Sequence, residues 1–254
     1  GAVHDAWDRE LERRVAVKTL AGRQVGAETR ARFVREAKLL ARVHDPHVVS
    51  VFDAGNDDDE PYIVMELLFG TSLSARIKEK GRLAWRDAVG IGVEIARGLS
   101  AVHAADLVHR DLKPANVFLA RIGDREIAKV LDLGVARATD ETSLTQSGAI
   151  VGTAIYLAPE QIQGGDLDAR ADVYGFGVAL FEMLAGKPPF LGPSIVETIH
   201  AHLYDPMPPL DSKVPAPVAA VVKRCLAKNP ADRYPTARAV QEALAALLEP
   251  AREE

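Results

Sequence analysis

Residues 172–186 read DVYGFGVALFEMLAG, a helical stretch that is apolar almost all the way round. A helix with that pattern has to be enclosed on every side, so the rest of the chain must build a large core around it. It is too short to span a bilayer, and it carries Glu182, so the core in question is that of a globular domain. The chain has 254 residues, 48% of them hydrophobic, which is enough for one large domain or two lobes.

The material around that helix changes character along the chain. The first sixty-odd residues read as strand, helix, strand, strand. RRVAVKTL alternates with period two, ETRARFVREAKLLARV has helical spacing, and VVSVFDAG and PYIVMELL flank the acidic turn NDDDE as a hairpin would. After Gly70 the pattern is mostly helical, led by the amphipathic WRDAVGIGVEIARGLSAVHAA. Two short strands, NVFLA and IAKVLDLG, interrupt it around the turn RIGDRE. From Asp132 to Glu160 the chain is polar, rich in Ser and Thr, and aperiodic; a loop of that length inside a domain is usually functional. YDPMPPLDSKVPAPV reads as a connection between helices.

A net charge of −5 gives no reason to expect nucleic acid as a partner. The single cysteine, Cys225, sits in the helical pattern VVKRCLAKN and reads as a small buried residue; one thiol fits a reducing cytoplasm. No apolar run reaches membrane-spanning length, and the expectation is that no signal peptide precedes the domain. The chain begins already in strand alternation, as an excised piece would, and the expectation for this segment is a cytoplasmic location without membrane contact.

Charged residues then stand out against this frame. On the strand VAVK, Lys18 shares a face with the small Ala16, leaving room for something flat beside the ammonium. In the next helix Phe33, Ala37 and Leu40 form the apolar stripe, and Glu36 falls on or beside it. An unpaired carboxylate there is costly, and pairing with Lys18 would resolve both charges. The alternative partner is Arg32, one turn earlier, in a surface pair worth a few tenths of a kcal/mol. The stretch HRDLKPANVFLA, residues 109–120, sets a dense polar loop directly against an apolar strand. Asn116 in that loop and Asp132 after the strand AKVL offer two oxygen ligands from separate segments, suited to Mg²⁺ shared with a phosphate chain. Asp111 could accept a proton from an attacking hydroxyl, and Lys113 could neutralise a phosphoryl group in transfer.

Taken in order, VAVK at 15–18, Glu36, HRDLKPAN at 109–116, DLG at 132–134 and APE at 158–160 resemble the eukaryotic-type (bacterial Hanks-type) serine/threonine protein kinase catalytic domain. The resemblance covers nearly the whole chain. It implies an α+β bilobal fold, with a small β-rich N-lobe carrying one main helix and a larger α-helical C-lobe. A single domain would fill residues 1–254, with the N-lobe at about 1–66, the hinge at about 66–70 and the C-lobe at about 71–250. The implied roles follow the motifs. Lys18, fixed by Glu36, holds the ATP phosphates; Asn116 and Asp132 hold Mg²⁺, with Mn²⁺ as a substitute. Asp111 is the base and Lys113 steadies the γ-phosphate. Val3, Ala16 and Phe118 enclose the adenine, Met65 closes the back of the pocket, and the backbone from Glu66 to Leu68 meets the base edge. His109 is implied to be a packing residue, stacked with Leu40, Val51 and Leu133. Asp172 reads as a structural cap, and Glu160 with Arg233 resembles the buried pair that secures the long polar segment.

Two departures stand out. Of the family's glycine-rich loop only Gly1, as the last glycine, and Val3 are present, and the expectation is a domain N-terminally truncated within that loop. The metal motif is DLG rather than DFG. The implied function is transfer of the ATP γ-phosphate to Ser or Thr of protein substrates, with a nucleotide-binding pseudokinase scaffold as the alternative. A small-molecule phosphotransferase is disfavoured by Lys113 and APE. Regulation is expected through phosphorylation of Thr145, then Ser147, by self-association in trans, with Arg110, Arg137 and Arg32 gathering on the phosphate.

Overall fold

The computed structural model describes residues 2–19, 27–57, 60–132 and 154–249, with the side chains at 27–29, 32 and 36 outside that description. The first strand β1 (Ala2–Asp8) pairs antiparallel with β2 (Arg13–Thr19). Helix α1 (Ala27–Leu40) follows, then the hairpin β3 (Val51–Asp57) and β4 (Glu60–Glu66). The sheet order is β1-β2-β4-β3, antiparallel throughout. The stripe expected of α1 is the one it buries: Phe33 and Ala37 pack with Ile63 of β4, and Leu40 joins Val43, Val48, Val49 and Val102. Pairing in the sheet sets Ala16 opposite Met65 and Lys18 opposite Ile63.

Beyond Glu66 the chain crosses to a second sheet of order β5-β6-β7, built from β5 (Gly70–Ser72), β6 (Val117–Ile122) and β7 (Arg125–Val130). The alternating sequence announces β6 and β7 but not β5, which is too short to show a period. Position 70 has to be glycine, because φ is +151° and a Cβ would lie 2.0 Å from the Leu119 carbonyl oxygen. The helices α2 (Leu73–Lys80), α3 (Trp85–Ala104), α4 (Pro159–Ile162), α5 (Ala169–Ala185), α6 (Ile195–Tyr204), α7 (Ala216–Cys225) and α8 (Ala237–Ala245) complete the larger lobe.

Helix α5, the apolar stretch of the opening argument, is the centre of that lobe. From Ala171 to Phe181 every residue is buried, and the surrounding core takes Leu99 from α3, Val222 and Cys225 from α7 and Leu244 from α8. Besides the crossover after Glu66, the chain between α1 and β3 bonds the two lobes together. Val48 forms a parallel bridge with Val130, Val49 N–H donates to the Val130 carbonyl, and Val130 N–H donates to that of His47. The end of β7, just before Asp132, is thereby held by both halves of the molecule.

Candidate active site

The catalytic-loop candidate runs from the end of α3 to β6. Its backbone is fixed by Asp172, which is only 2% exposed. One carboxylate oxygen accepts the His109 N–H at 2.7 Å and His103 Nε2 at 2.7 Å, and the other accepts the Arg110 N–H at 2.8 Å. Asp172 therefore does not cap its own helix. Asp168 does, accepting the Arg170 N–H, and Asp172 reaches out of the buried helix to hold another segment. Arg110, with φ of 65°, and Asp132, with φ of 42°, both sit in the left-handed region that side chains other than glycine rarely occupy. Such strain persists only where the surroundings impose it, and it gathers at functional sites.

His109 is completely buried, as packing predicts. It also bonds: Nε2 lies 2.8 Å from the Leu131 carbonyl, and Nδ1 accepts the Asp111 N–H at 3.3 Å. Leu40 and Val51 lie in the neighbouring apolar cluster, whereas Leu133 falls outside the described residues. The Leu131 N–H donates to the Asn116 carbonyl at 2.8 Å. One short strip of backbone thus ties Asp111, Asn116 and Asp132 together.

The side chains of this strip converge. Lys113 Nζ lies 2.7 Å from Asp111 Oδ2, and Asn116 Nδ2 donates to the same oxygen at 3.0 Å and to the Asp111 carbonyl at 2.8 Å. With the Asn116 amide nitrogen committed to Asp111, its carbonyl oxygen is the end left for a cation. Lys18 Nζ reaches across from β2 to Asp132 Oδ2 at 2.6 Å. A carboxylate and an amide oxygen are hard donors that suit Mg²⁺.

The adenine-pocket candidates occupy the adjoining edge. Val3 is 61% exposed and pairs with Lys18 across β1 and β2; Ala16 is buried opposite Met65. Phe118 lies in β6 beside Gly70, where a Cβ would sit 3.2 Å from its ring. Met65 and Leu68 pack on the cluster around Val48. Glu66, singled out by sequence for its backbone, also uses its side chain. Its Oε1 accepts the Ser50 N–H and the ammonium of Lys129, each at 2.7 Å. Lys129 is 5% exposed, so its ammonium is buried against the half-buried Glu66, linking the crossover between lobes to β7. Gly1, Leu133, Arg137, Thr145 and Ser147, with the side chains of Arg32 and Glu36, lie outside the described residues.

Glu160 and Arg233 form a bidentate pair at 2.6 and 2.8 Å. The remaining guanidinium donors reach the carbonyls of Ala227, Arg170 and Lys228, so all five N–H groups are engaged. Next to this pair, Gln161 Nε2 donates to the Arg110 carbonyl at 2.9 Å.

A small sheet lobe, a helical lobe and a Lys–Asp–Asn–Asp strip between them define a protein kinase domain. The chain belongs to that family: the protein kinase domain model matches residues 1–245. It is 38% identical over 253 residues to the serine/threonine-protein kinase PknA of Mycobacterium tuberculosis, covering 97% of this chain and 58% of that protein. It is 41% identical over 244 residues to PknB of Mycobacterium leprae and over 245 residues to PknB of Mycolicibacterium smegmatis, covering 92% of this chain and 39% of each of those proteins. The chain thus spans well under two thirds of the length of these relatives.

Proposed function

We propose that this chain is the catalytic domain of a serine/threonine protein kinase that moves the γ-phosphate of ATP to protein hydroxyls. The observation that carries the reading is the joining of five groups: Lys18 to Asp132, and Lys113 and Asn116 to Asp111. In the transfer, the acceptor oxygen bonds to the γ-phosphorus, the bond to the bridging oxygen of the departing ADP breaks, and the hydroxyl proton passes to Asp111. Lys113 offsets charge on the moving phosphoryl group, and Lys18 exchanges Asp132 for the α and β phosphates. Asp132 and Asn116 would hold Mg²⁺, or Mn²⁺ in its place, which when bound neutralises charge on the phosphate oxygens.

Val3, Ala16, Met65, Phe118 and the Glu66–Leu68 backbone enclose the base; the buried Ala16–Met65 pairing and the position of Phe118 by Gly70 support that reading. The lobes divide near residues 66–70, where one sheet ends and the other begins. Control through Thr145 and Ser147, phosphorylated in trans, and a Lys18–Glu36 pair belong to the same proposal, as does a cytoplasmic location. Among the described residues no helix is long and apolar enough to cross a membrane. The presence of all five groups speaks for the active enzyme over a pseudokinase scaffold.

The test is incubation with γ-labelled ATP, Mg²⁺ and myelin basic protein, with a chelator arm. Label on Ser or Thr that the chelator abolishes is the expected result. Nucleotide binding without transfer, in a chain extended upstream through the complete glycine-rich loop, would overturn it.

A further inference from the structure

A lysine is almost never fully buried unless it is paired, and Lys129 of β7 is the buried lysine of this site. Its Nζ lies 2.7 Å from Oε1 of Glu66, whose side chain is 23% exposed. Drawing an ammonium and a carboxylate out of water is costly, and an apolar pair of similar volume often serves a fold as well. The stability it adds is therefore a weak reason for the pair. Where it holds its two ends is a better one.

One end is Glu66, the last residue of β4, where the segment proposed to meet the base edge begins. Glu66 grips Ser50 twice: its own N–H donates to the Ser50 carbonyl at 2.9 Å, and Oε1 accepts the Ser50 N–H at 2.7 Å. Ser50 in turn ends a stretch fixed to the helical lobe. The Val49 N–H donates to the Val130 carbonyl at 3.0 Å, and His47 Nδ1 lies 3.0 Å from the Ala128 carbonyl oxygen. Helix α3 presses on the same stretch, since a Cβ on Gly98 would lie 2.5 Å from the His47 carbonyl oxygen. The other end is Lys129 itself, directly opposite Phe118 in the β6–β7 register. Residues opposite one another across antiparallel strands stand on the same face. Lys129 thus shares its face of the sheet with the ring proposed as the floor of the base pocket.

We propose that Lys129 is a positioning residue for the nucleotide base: by bonding Glu66 from the strand position opposite Phe118, it fixes the edge and the floor of the base pocket relative to each other. The phosphate end of the site has supports of its own, Lys18 on Asp132 and the Asp111, Lys113 and Asn116 group. None of those bonds involves Lys129. Loss of the Glu66–Lys129 bond therefore costs affinity for the base and spares affinity for the phosphates. A pocket held in its bound shape binds more tightly because less has to be ordered on binding.

The inference rests on the proposed kinase function and its base pocket, and its test separates the two. Lys129→Met keeps the buried stem and removes the ammonium. The double variant Glu66→Gln, Lys129→Met also removes the stranded carboxylate while keeping an acceptor for the Ser50 N–H. Calorimetry with Mg²⁺ and ATP is set beside calorimetry with Mg²⁺ and tripolyphosphate, a probe that lacks the base. Both variants should bind ATP about tenfold more weakly than the parent and tripolyphosphate as the parent does. The double variant should do so even where its melting temperature returns to the parent's, which a merely structural role would not give. ATP affinity unchanged in Lys129→Met overturns the proposal, as does a loss shared equally by tripolyphosphate. Recovery of ATP affinity in the double variant also overturns it, because the stranded charge would then be the cause. Should Lys129→Met fail to fold, the double variant carries the comparison; failure of both makes the pair structural and ends the proposal. A parent chain that binds ATP no more tightly than tripolyphosphate overturns the base-pocket reading, and this inference with it, before any variant is compared.

Discussion

The Lys18 ammonium lies 2.6 Å from the Asp132 carboxylate, tying β2 of the sheet lobe to a residue two positions beyond β7. Both side chains keep appreciable exposure, 23% and 45%, so water screens the pair. Exposed pairs of this kind contribute about 0–1 kcal/mol to stability.

Lys18→Met therefore separates function from folding. The melting temperature should move by no more than about 4 °C, while phosphate transfer falls by at least about a hundredfold through lost phosphate contacts. Thermal melting and a transfer assay on one preparation check this. A variant that melts much lower, or that transfers phosphate normally, contradicts the assignment.

Asp172 is the opposite case. It is buried and accepts from two backbone N–H groups and from His103. Asp172→Ala leaves those donors in a dry site, at a cost of about 3 kcal/mol or more. The urea midpoint should fall accordingly and activity should fall with it, because the backbone of His109 and Arg110 loses its anchor. A loss under about 1 kcal/mol would show that the loop is held by other means.

The contrast between these residues shows what the sequence could disclose. Lys18, Asp111, Lys113, Asn116 and Asp132 stand in short motifs whose spacing carries chemistry, and the structure brings them into two bonded groups. The apolar face of α1 was legible because one-sided burial imposes a period, and the enclosed helix α5 because its run of apolar residues leaves almost no polar side. Asp172 looked like a cap because its true partners lie over sixty residues away, a separation no local pattern records. The same holds for Glu66 with Lys129, and for His202, whose place among Tyr174, Phe190 and Lys228 depends on the packing of α6 against α5. Strand β5 was missed for another reason: its pairing with β6, not its composition, makes it a strand.

Arg233 has all of its donors engaged, so its conservative replacement is not conservative. Arg233→Lys cannot reach Glu160 and three carbonyls at once and should cost about 3–5 kcal/mol, as removal of one partner of a buried pair does. The double variant Glu160→Gln, Arg233→Met should cost less than the sum of its single changes, since neither leaves the other's charge stranded. Denaturant unfolding of the four proteins measures this, and strict additivity would contradict it.

Acid stability should report His202. Its ordinary value of 6.5 is lowered by burial to about 4 in the fold. Below pH 6.5 the unfolded chain takes up a proton that the folded chain refuses, so stability present above pH 6.5 is lost as pH falls toward 4. The loss attributable to this group is on the order of 3 kcal/mol. Unfolding free energies at pH 7.5, 6, 5 and 4.5 should show a steeper decline for the parent than for His202→Asn, which has nothing to titrate there. Parallel curves would remove His202 as the cause.

Asp111→Asn tests the proposed base. Lys113 Nζ and Asn116 Nδ2 both meet Asp111 Oδ2, and the asparagine carbonyl oxygen can take that place with both contacts kept. The loop anchored through Asp172 is then undisturbed, and the melting temperature should stay within about 4 °C of the parent. What disappears is the site that accepts the hydroxyl proton. Loss of a general base lowers turnover by about 10²–10⁴, and the fall should lie in kcat with nucleotide affinity unchanged. Calorimetric titration with ATP and Mg²⁺, beside steady-state kinetics on myelin basic protein, reads both quantities. Parental turnover in Asp111→Asn would mean that the proton leaves by another route. A matching loss of nucleotide affinity would mean that Asp111 serves the phosphate site instead.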